Sequence, residues 1–162
     1  MTPHEVQRLL KYNPETGELF WLVRKQGRRL GAVGYKDKDG YLTVKMGQCR
    51  KRYFLHRIAW AIVHGKWPQN QIDHVNGIKS DNRLCNLREA SNADNMRNVG
   101  KQAHNTSGLK GVSWHKHRAK WRADTKVDGK RIWLGLYDCP AAASFAYQIA
   151  SDTHHGVFSR SF

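Results

Sequence analysis

Four side chains between Gln71 and Asn98 have the types and spacing to do chemistry together: Asp73, His74, Asn86 and Asn95. An imidazole with its ordinary pKa of ~6.5 accepts a proton at neutral pH, which makes His74 a candidate general base. Neighbouring side chains on an extended strand point to opposite faces, so Asp73 and His74 cannot share one role. Asn86 can accept a hydrogen bond from His74 Nδ1–H through its side-chain or backbone oxygen. That would fix the tautomer, as an orienting group does for any base. The chemistry open to such a set is proton abstraction from water.

The elements that must position these groups can be read locally. Asp73-His74 runs into the turn-rich Asn76-Gly77, a polar loop covers 78–83, and Leu84–Arg88 returns as a short strand. Ser91, with Asp94 three residues on, is a helix-start signature in which hydroxyl and carboxylate each satisfy an unpaired backbone N–H. The segment therefore reads strand, loop, strand, helix. Asp73 and His74 end the first strand, Asn86 lies on the second, and Asn95 sits in the first turns of the helix.

That layout resembles the ββα-metal nuclease finger. The string Asp73-His74, Asn76-Gly77, Asp81-Asn82-Arg83-Leu84, Asn86-Leu87-Arg88 and Asn95 resembles the HNH endonucleases of phages and group I introns. Leu55-His56-Arg57 with Trp60 fits that family's lead-in helix. The resemblance implies that Asp73 and Asn95 hold one divalent ion while His74 addresses water. Mg²⁺ or Mn²⁺ suits such oxygen ligands, with water and phosphate in the open positions. An ion there acts as a Lewis acid and stabilises the departing 3′ oxygen. Asn95 stands where the family name implies histidine; the phage and intron homing subgroup also uses asparagine. His56, placed near the finger by the resemblance, is expected to make a structural hydrogen bond, with a direct part in catalysis as the alternative.

The whole chain is basic. Its 162 residues carry a formal charge of +15 and a pI near 10.1. Residues 1–50, 51–100 and 101–162 contribute +5, +4 and +6, counting Lys and Arg against Asp and Glu. A distributed excess of this size marks a polyanion partner, since each neutralised phosphate releases counterions. Double-stranded DNA is the expected partner, and no protein partner is implied. No apolar run is long enough to span a membrane, and the N-terminus lacks the pattern of a secretory signal. A cytoplasmic place in a phage-infected host cell is expected. Cys49, Cys85 and Cys139 are far apart and form no Cys-x-x-Cys, so free thiols are expected rather than a disulfide framework or zinc knuckle.

Ahead of the finger, residues 2–11 read as a short helix capped by Thr2 and Glu5, with Pro3 at its first position and Val6, Leu9 and Leu10 on one face. The turn Asn13–Gly17 follows. Glu18–Val23, Tyr41–Met46 and Lys51–Phe54 read as strands, with Arg24, Lys25, Arg28, Arg29, Lys36 and Lys38 in the loop-rich part between the first two. These residues either reach a DNA backbone or simply solvate the sheet. His56–His64 reads as a helix, with Leu55, Ile58, Ala59, Ile62 and Val63 as its apolar face and Gly65 past its end. Trp60 and Trp67 are expected to pack.

After Asn98 the composition turns polar and reads as a linker to Gly108. Then Leu109–His115, Lys120–Val127 and Lys130–Tyr137 read as strands, the last two joined by the hairpin signal Asp128-Gly129. Pro140–Thr153 reads as an Ala-rich helix. Lys110-Gly111-Val112, Lys120–Ala123, Arg131–Gly135, Ala142–Tyr147 and Phe162 resemble the AP2 DNA-binding domain in order and spacing. Alternation puts Trp121, Ala123 and Thr125 on a face opposite Lys120, Arg122, Asp124 and Lys126. It likewise sets Ile132, Leu134 and Leu136 away from Arg131 and Trp133. A basic sheet face can lie in the major groove. The expected DNA contacts are Lys110, Arg122, Lys126, Arg131 and Trp133, while Trp121 is expected to be core. Ser113 and His115 stand where plant members carry arginine, so a target sequence does not transfer.

The expected fold class is α+β. A ββα-metal (HNH) nuclease domain with an N-terminal β-rich extension covers 1–98, a linker 99–108, and an AP2-like three-stranded antiparallel sheet packed on one helix 109–162. The expected function is a metal-dependent DNA endonuclease of the homing type, nicking or cutting both strands, with sequence choice aided by the AP2-like part. A non-catalytic DNA-binding regulator built on that sheet is the alternative, and a nonspecific nuclease a third reading.

Overall fold

The computed structural model describes residues 1–22, 31–98 and 105–156. Arg24, Lys25, Arg28, Arg29, the start of the expected linker at 99–104, and Phe162 lie outside them. The chain divides into two compact units, Met1–Ser91 and Asn92–Phe162. The division falls before the sequence-based boundary at 98, so the helix that carries Asn95 groups with the second unit.

The first unit opens with α1 (Pro3–Leu9). Thr2 caps it, accepting from Glu5 N while the Glu5 carboxylate accepts from Thr2 N. The helix ends earlier than its apolar spacing predicts. Leu10 turns extended and starts β1 (Leu10–Tyr12), which pairs with β2 (Leu19–Trp21) across the Asn13–Gly17 turn. A second sheet joins β3 (Tyr35–Lys36), β4 (Leu42–Met46) and β5 (Lys51–Phe54) in that order. The two-residue β3 carries no alternation to read.

Helix α2 (Leu55–His64) buries Leu55, Ile58, Ala59 and Ala61, and it also buries His56. Val63, expected on the apolar face, is largely exposed. The pair β6 (Gln71–His74) and β7 (Leu87–Ala90) follows. Leu84–Asn86 is a tight 3₁₀ turn rather than the start of the second strand, so Asn86 sits just before β7 instead of on it. The core gathers Val6, Leu10, Leu19, Met46, Leu55 and Ile58, with Trp60 and Trp67 packed at its margin.

The second unit begins with α3 (Asn92–Asn98), with Asp94 in its first turn. Asn105–Leu109 is a hydrogen-bonded turn. The Asn105 side chain accepts from Ser107 N and Gly108 N and donates to Leu109 O, and Ser107 Oγ donates to Val112 O. Strands β8 (Val112–His115), β9 (Lys120–Val127) and β10 (Lys130–Tyr137) form one antiparallel sheet in the order β10-β9-β8. The β9–β10 turn is Asp128-Gly129, both with positive φ. Helix α4 (Pro140–His155) starts at proline, with Cys139 Sγ accepting from Ala142 N. Val112, Ala123 and Ala143 form the small core, joined by Trp121, Leu134 and Tyr137.

Strict alternation fails on β10. A bulge between Trp133 and Gly135 shifts the register, so Gly135 falls opposite Ala123 and Leu136 opposite Arg122. Leu136 therefore joins the charged face, and Tyr137 takes the inner one. Gly135 has φ 130°, a conformation that L side chains rarely adopt, which is how the strand absorbs the extra residue.

Candidate active site

The register of β6 on β7 sets the first contact, because Asp73 lies across from Arg88 and His74 across from Leu87. Arg88 donates to Asp73 Oδ2 from Nε at 2.8 Å and from a terminal nitrogen at 2.6 Å. Asp73 is only 8% exposed, so this charge-assisted pairing offsets part of the cost of burying it.

His74 is 4% exposed. Burial lowers its proton affinity below the ordinary imidazole range, against the opposing pull of its hydrogen bond with Asn82 and of the Asp73 charge. The ring is therefore neutral at pH 7 and able to take a proton. His74 lies in an aromatic box. The Tyr41 ring is 5.9 Å away and tilted, and the His56 ring is 5.1 Å away and edge-on. His56 in turn stacks on Phe54 at 5.3 Å.

Among the described residues no hydrogen bond is seen at the buried His56 Nδ1. Burial first, then the neighbouring His74 and Arg57, pushes its pKa down to about 3. The ring is held by packing, as a neutral group.

The loop between the strands is stitched to itself by amides and one ion pair. Gly77 N donates to His74 O, and Val75 N to Asn86 O. Asn86 Oδ1 accepts from Asn76 N at 2.9 Å, and Asn86 Nδ2 donates to Asp81 O at 2.8 Å. Arg83 grips both oxygens of Asp81, at 2.8 and 2.6 Å, and Asn76 Nδ2 adds a third bond. These bonds, the Arg83 side chain foremost, hold the Asp81 carboxyl well below the usual carboxylate range.

Asn86 thus organises the loop; the amide oxygen that faces His74 belongs to Asn82, whose Oδ1 lies 3.2 Å from His74 Nε2. Sequence reasoning missed this residue. Asn82 stands inside the Asp81-Asn82-Arg83 string, but nothing in its type separates it from Asn76, Asn86 or Asn95.

In the second unit, Trp133 is 57% exposed on the outer face of β10, with the Arg122 guanidinium 5.7 Å from its ring centre. Arg122 and Arg131 both bind Asp124, at 2.6 and 3.2 Å, so the two guanidiniums are steered rather than loose. Lys110, Lys126 and Arg131 line one hollow of about 600 Å³. Trp121 packs on the small core, as expected, with the half-exposed Trp114 edge-on at 5.1 Å.

Residues 53–97 match the HNH endonuclease family, and that span holds His56, Asp73, His74, Asn82, Asn86 and Asn95. Over 106 residues the chain is 34% identical to Protein 3.8 of Escherichia phage T7, covering 65% of this chain and 87% of that one. The chain belongs to the same family as this phage protein and carries an HNH endonuclease domain. No solved structure matches. An HNH domain implies DNA as substrate and, in general, a divalent metal ion.

Asp73 and Asn95 offer oxygen donors, the chemistry that hard divalent ions prefer. Among the described residues no group of three or more His, Cys, Asp or Glu side chains is gathered as a metal cage. Asp73 belongs to the first unit and Asn95, half-buried on α3, to the second.

Proposed function

We propose that this protein is a metal-dependent DNA endonuclease of the homing type that hydrolyses a phosphodiester with His74 as general base. The observation that carries the reading is a buried, neutral imidazole next in sequence to a buried carboxylate, on one strand of an HNH domain. His74 takes the proton from the attacking water. Asp73 and Asn95 would hold one Mg²⁺ or Mn²⁺ ion. When bound, the ion supplies Lewis acidity for the charge that develops on the phosphate and on the leaving 3′ oxygen. Arg88, opposite on β7, holds the Asp73 carboxylate through Oδ2. Asn86 acts one step back, by closing the loop whose other end carries Asn82. Tyr41 and His56 cover one side of the base, with Phe54 stacked on His56, and that burial keeps the base neutral.

The outer face of the second unit would hold the duplex, with Trp133, Arg122, Lys126 and Arg131 in contact and Lys110 at its edge. That use agrees with the AP2-like wording of its strands and would add affinity and some sequence choice.

The test is incubation of supercoiled phage DNA with the full chain, with and without Mg²⁺ or Mn²⁺. Wild type should nick or linearise the plasmid into discrete products only with metal. His74→Ala should abolish cutting and leave DNA retention in a gel nearly unchanged. Cutting by His74→Ala would remove the assigned base. Retention without a strand break by the wild type, under any metal, would instead favour a non-catalytic DNA-binding regulator, the reading that the exposed Trp133 and steered arginines support by themselves.

A further inference from the structure

Lys79 is an exposed residue of the loop between β6 and β7, yet its side chain is laid in one place. The stem crosses Gly40, where a Cβ would sit 4.0 Å from Lys79 Cδ. The ammonium donates to Asp39 O at 3.0 Å and lies 4.8 Å from the centre of the Tyr41 ring. That same ring packs 5.9 Å from His74 and 5.5 Å from His56. Fixing a lysine stem costs rotamer entropy. The carbonyl and the ring face offset that cost, and the charge they hold is near the base.

The support under Lys79 is itself locked. Asp37 Oδ1 accepts from Asp39 N at 3.0 Å and from Tyr41 N at 2.9 Å, and Gly40 N donates to Asp37 O at 3.1 Å. Gly40 takes φ +90, which glycine adopts without strain. The N-terminal extension thus supplies a rigid turn, and a loop residue 40 positions further on lies across it.

No carboxylate among the described residues neutralises this ammonium at ion-pair distance. Asp37 turns an oxygen to the backbone, Asp39 meets Lys79 through its carbonyl, and Asp73 is held by Arg88. A lysine present only to balance these acids would sit on one of them. An ammonium has three donors, and Asp39 O takes one. A fixed cation with donors to spare, close to a base that attacks phosphodiesters, has the chemistry to bind a phosphate oxygen.

We propose that Lys79 binds a backbone phosphate of the DNA strand beside the bond being cut. The inference rests on the nuclease reading for the place of that phosphate; the contact itself is read without cleavage.

The experiment measures Kd by fluorescence anisotropy for the full chain and a labelled duplex that wild type binds, in EDTA and across a range of salt. The proteins are wild type, Lys79→Gln, Lys79→Arg and Lys11→Gln. Lys79→Gln should weaken binding about 3–10-fold at low salt and flatten the slope of log K against log salt by about one, the share of a single phosphate. Lys79→Arg keeps a phosphate-binding cation and should restore both. Lys11→Gln removes the same charge from the exposed face of β1 and should leave the slope unchanged. With a cleaving metal, Lys79→Gln should raise KM for DNA by about the same 3–10-fold, with kcat little changed.

A slope unmoved in Lys79→Gln, or moved as much in Lys11→Gln, overturns the inference. So does a fall in Tm with an unchanged Kd, the mark of a lysine that only ties the loop to the turn. A wild type that binds the duplex and never cuts it defeats the nuclease reading separately, and the salt slopes still decide whether Lys79 meets a phosphate.

Discussion

Exchange of His56 for phenylalanine should remove a defined part of the acid sensitivity of this protein. His56 is 6% exposed, faces Tyr41, Phe54 and His74, and has its pKa pushed down to about 3, chiefly by burial. In the unfolded chain it would titrate at its ordinary value of 6.5. Between those limits the unfolded state binds a proton that the folded state refuses, so stability rises with pH across the window. The contribution is fully present above about pH 6.5 and is lost as pH falls toward about 3. The whole span is worth on the order of 5 kcal/mol, and the step from about pH 7 to about pH 5 about 2 kcal/mol.

His56→Phe keeps an aromatic ring on Phe54 and against His74 but cannot be protonated. Urea unfolding followed by tryptophan fluorescence, at about pH 7 and about pH 5, gives the two stabilities for each protein. Wild type should lose about 2 kcal/mol more than the variant over that step. His74, whose affinity is also lowered by burial, contributes to both proteins and largely cancels in the difference. Equal losses would mean that the His56 ring is hydrated, and the closed aromatic box around the base would then be wrong.

Two further substitutions test the second unit. Gly111 has φ +71, and a Cβ on it would overlap the Tyr147 ring. Gly111→Ala should therefore cost roughly 2–5 kcal/mol, from backbone strain plus overpacking, and calorimetry should show a lower Tm; a loss under about 1 kcal/mol would contradict the packing of α4 on β8. Trp133→Ala should weaken binding to a duplex by about 1–2 kcal/mol in fluorescence anisotropy while leaving the cutting of bound DNA intact. An unchanged Kd would take the outer sheet face out of DNA recognition.

What the sequence reveals of the site follows from how local each signal is. Asp73, His74, Asn86 and Asn95 stand out because they fall in a short string with turn and cap signals between them, and the strand–loop–strand order reads directly from it. The division of labour among the asparagines does not read from it. Asn76, Asn82 and Asn86 share one type and one loop, and only the path of the backbone decides that Asn82 meets the ring while Asn86 bonds Asn76 and Asp81. The Asp73–Arg88 pair is likewise a consequence of register, which needs the cross-strand partner. In the second unit the strands, the Asp128-Gly129 turn and the helix start at Pro140 follow from local chemistry. The bulge before Gly135 does not, because alternation carries no mark of where one residue is inserted.

The contacts on His74 and Asn82 also explain why the first unit reaches back to Met1 although the HNH match begins at residue 53. Tyr41 walls one side of His74, Tyr12 holds the Asn82 carbonyl, Pro14 accepts from Leu84, and Gly17 presses on the Asn82–Arg83 peptide. All four lie outside 53–97. Two strands and a pair of antiparallel ladder bonds do not make a stable unit in water. The N-terminal extension supplies both a core, through Val6, Leu10 and Leu19, and the surfaces that bury the base. The surroundings of His74 are therefore built by residues far apart in the chain, as the Tyr12–Asn82 bond illustrates with its separation of 70. Cutting the chain down to the matched segment would remove the walls before it removed any residue of the motif.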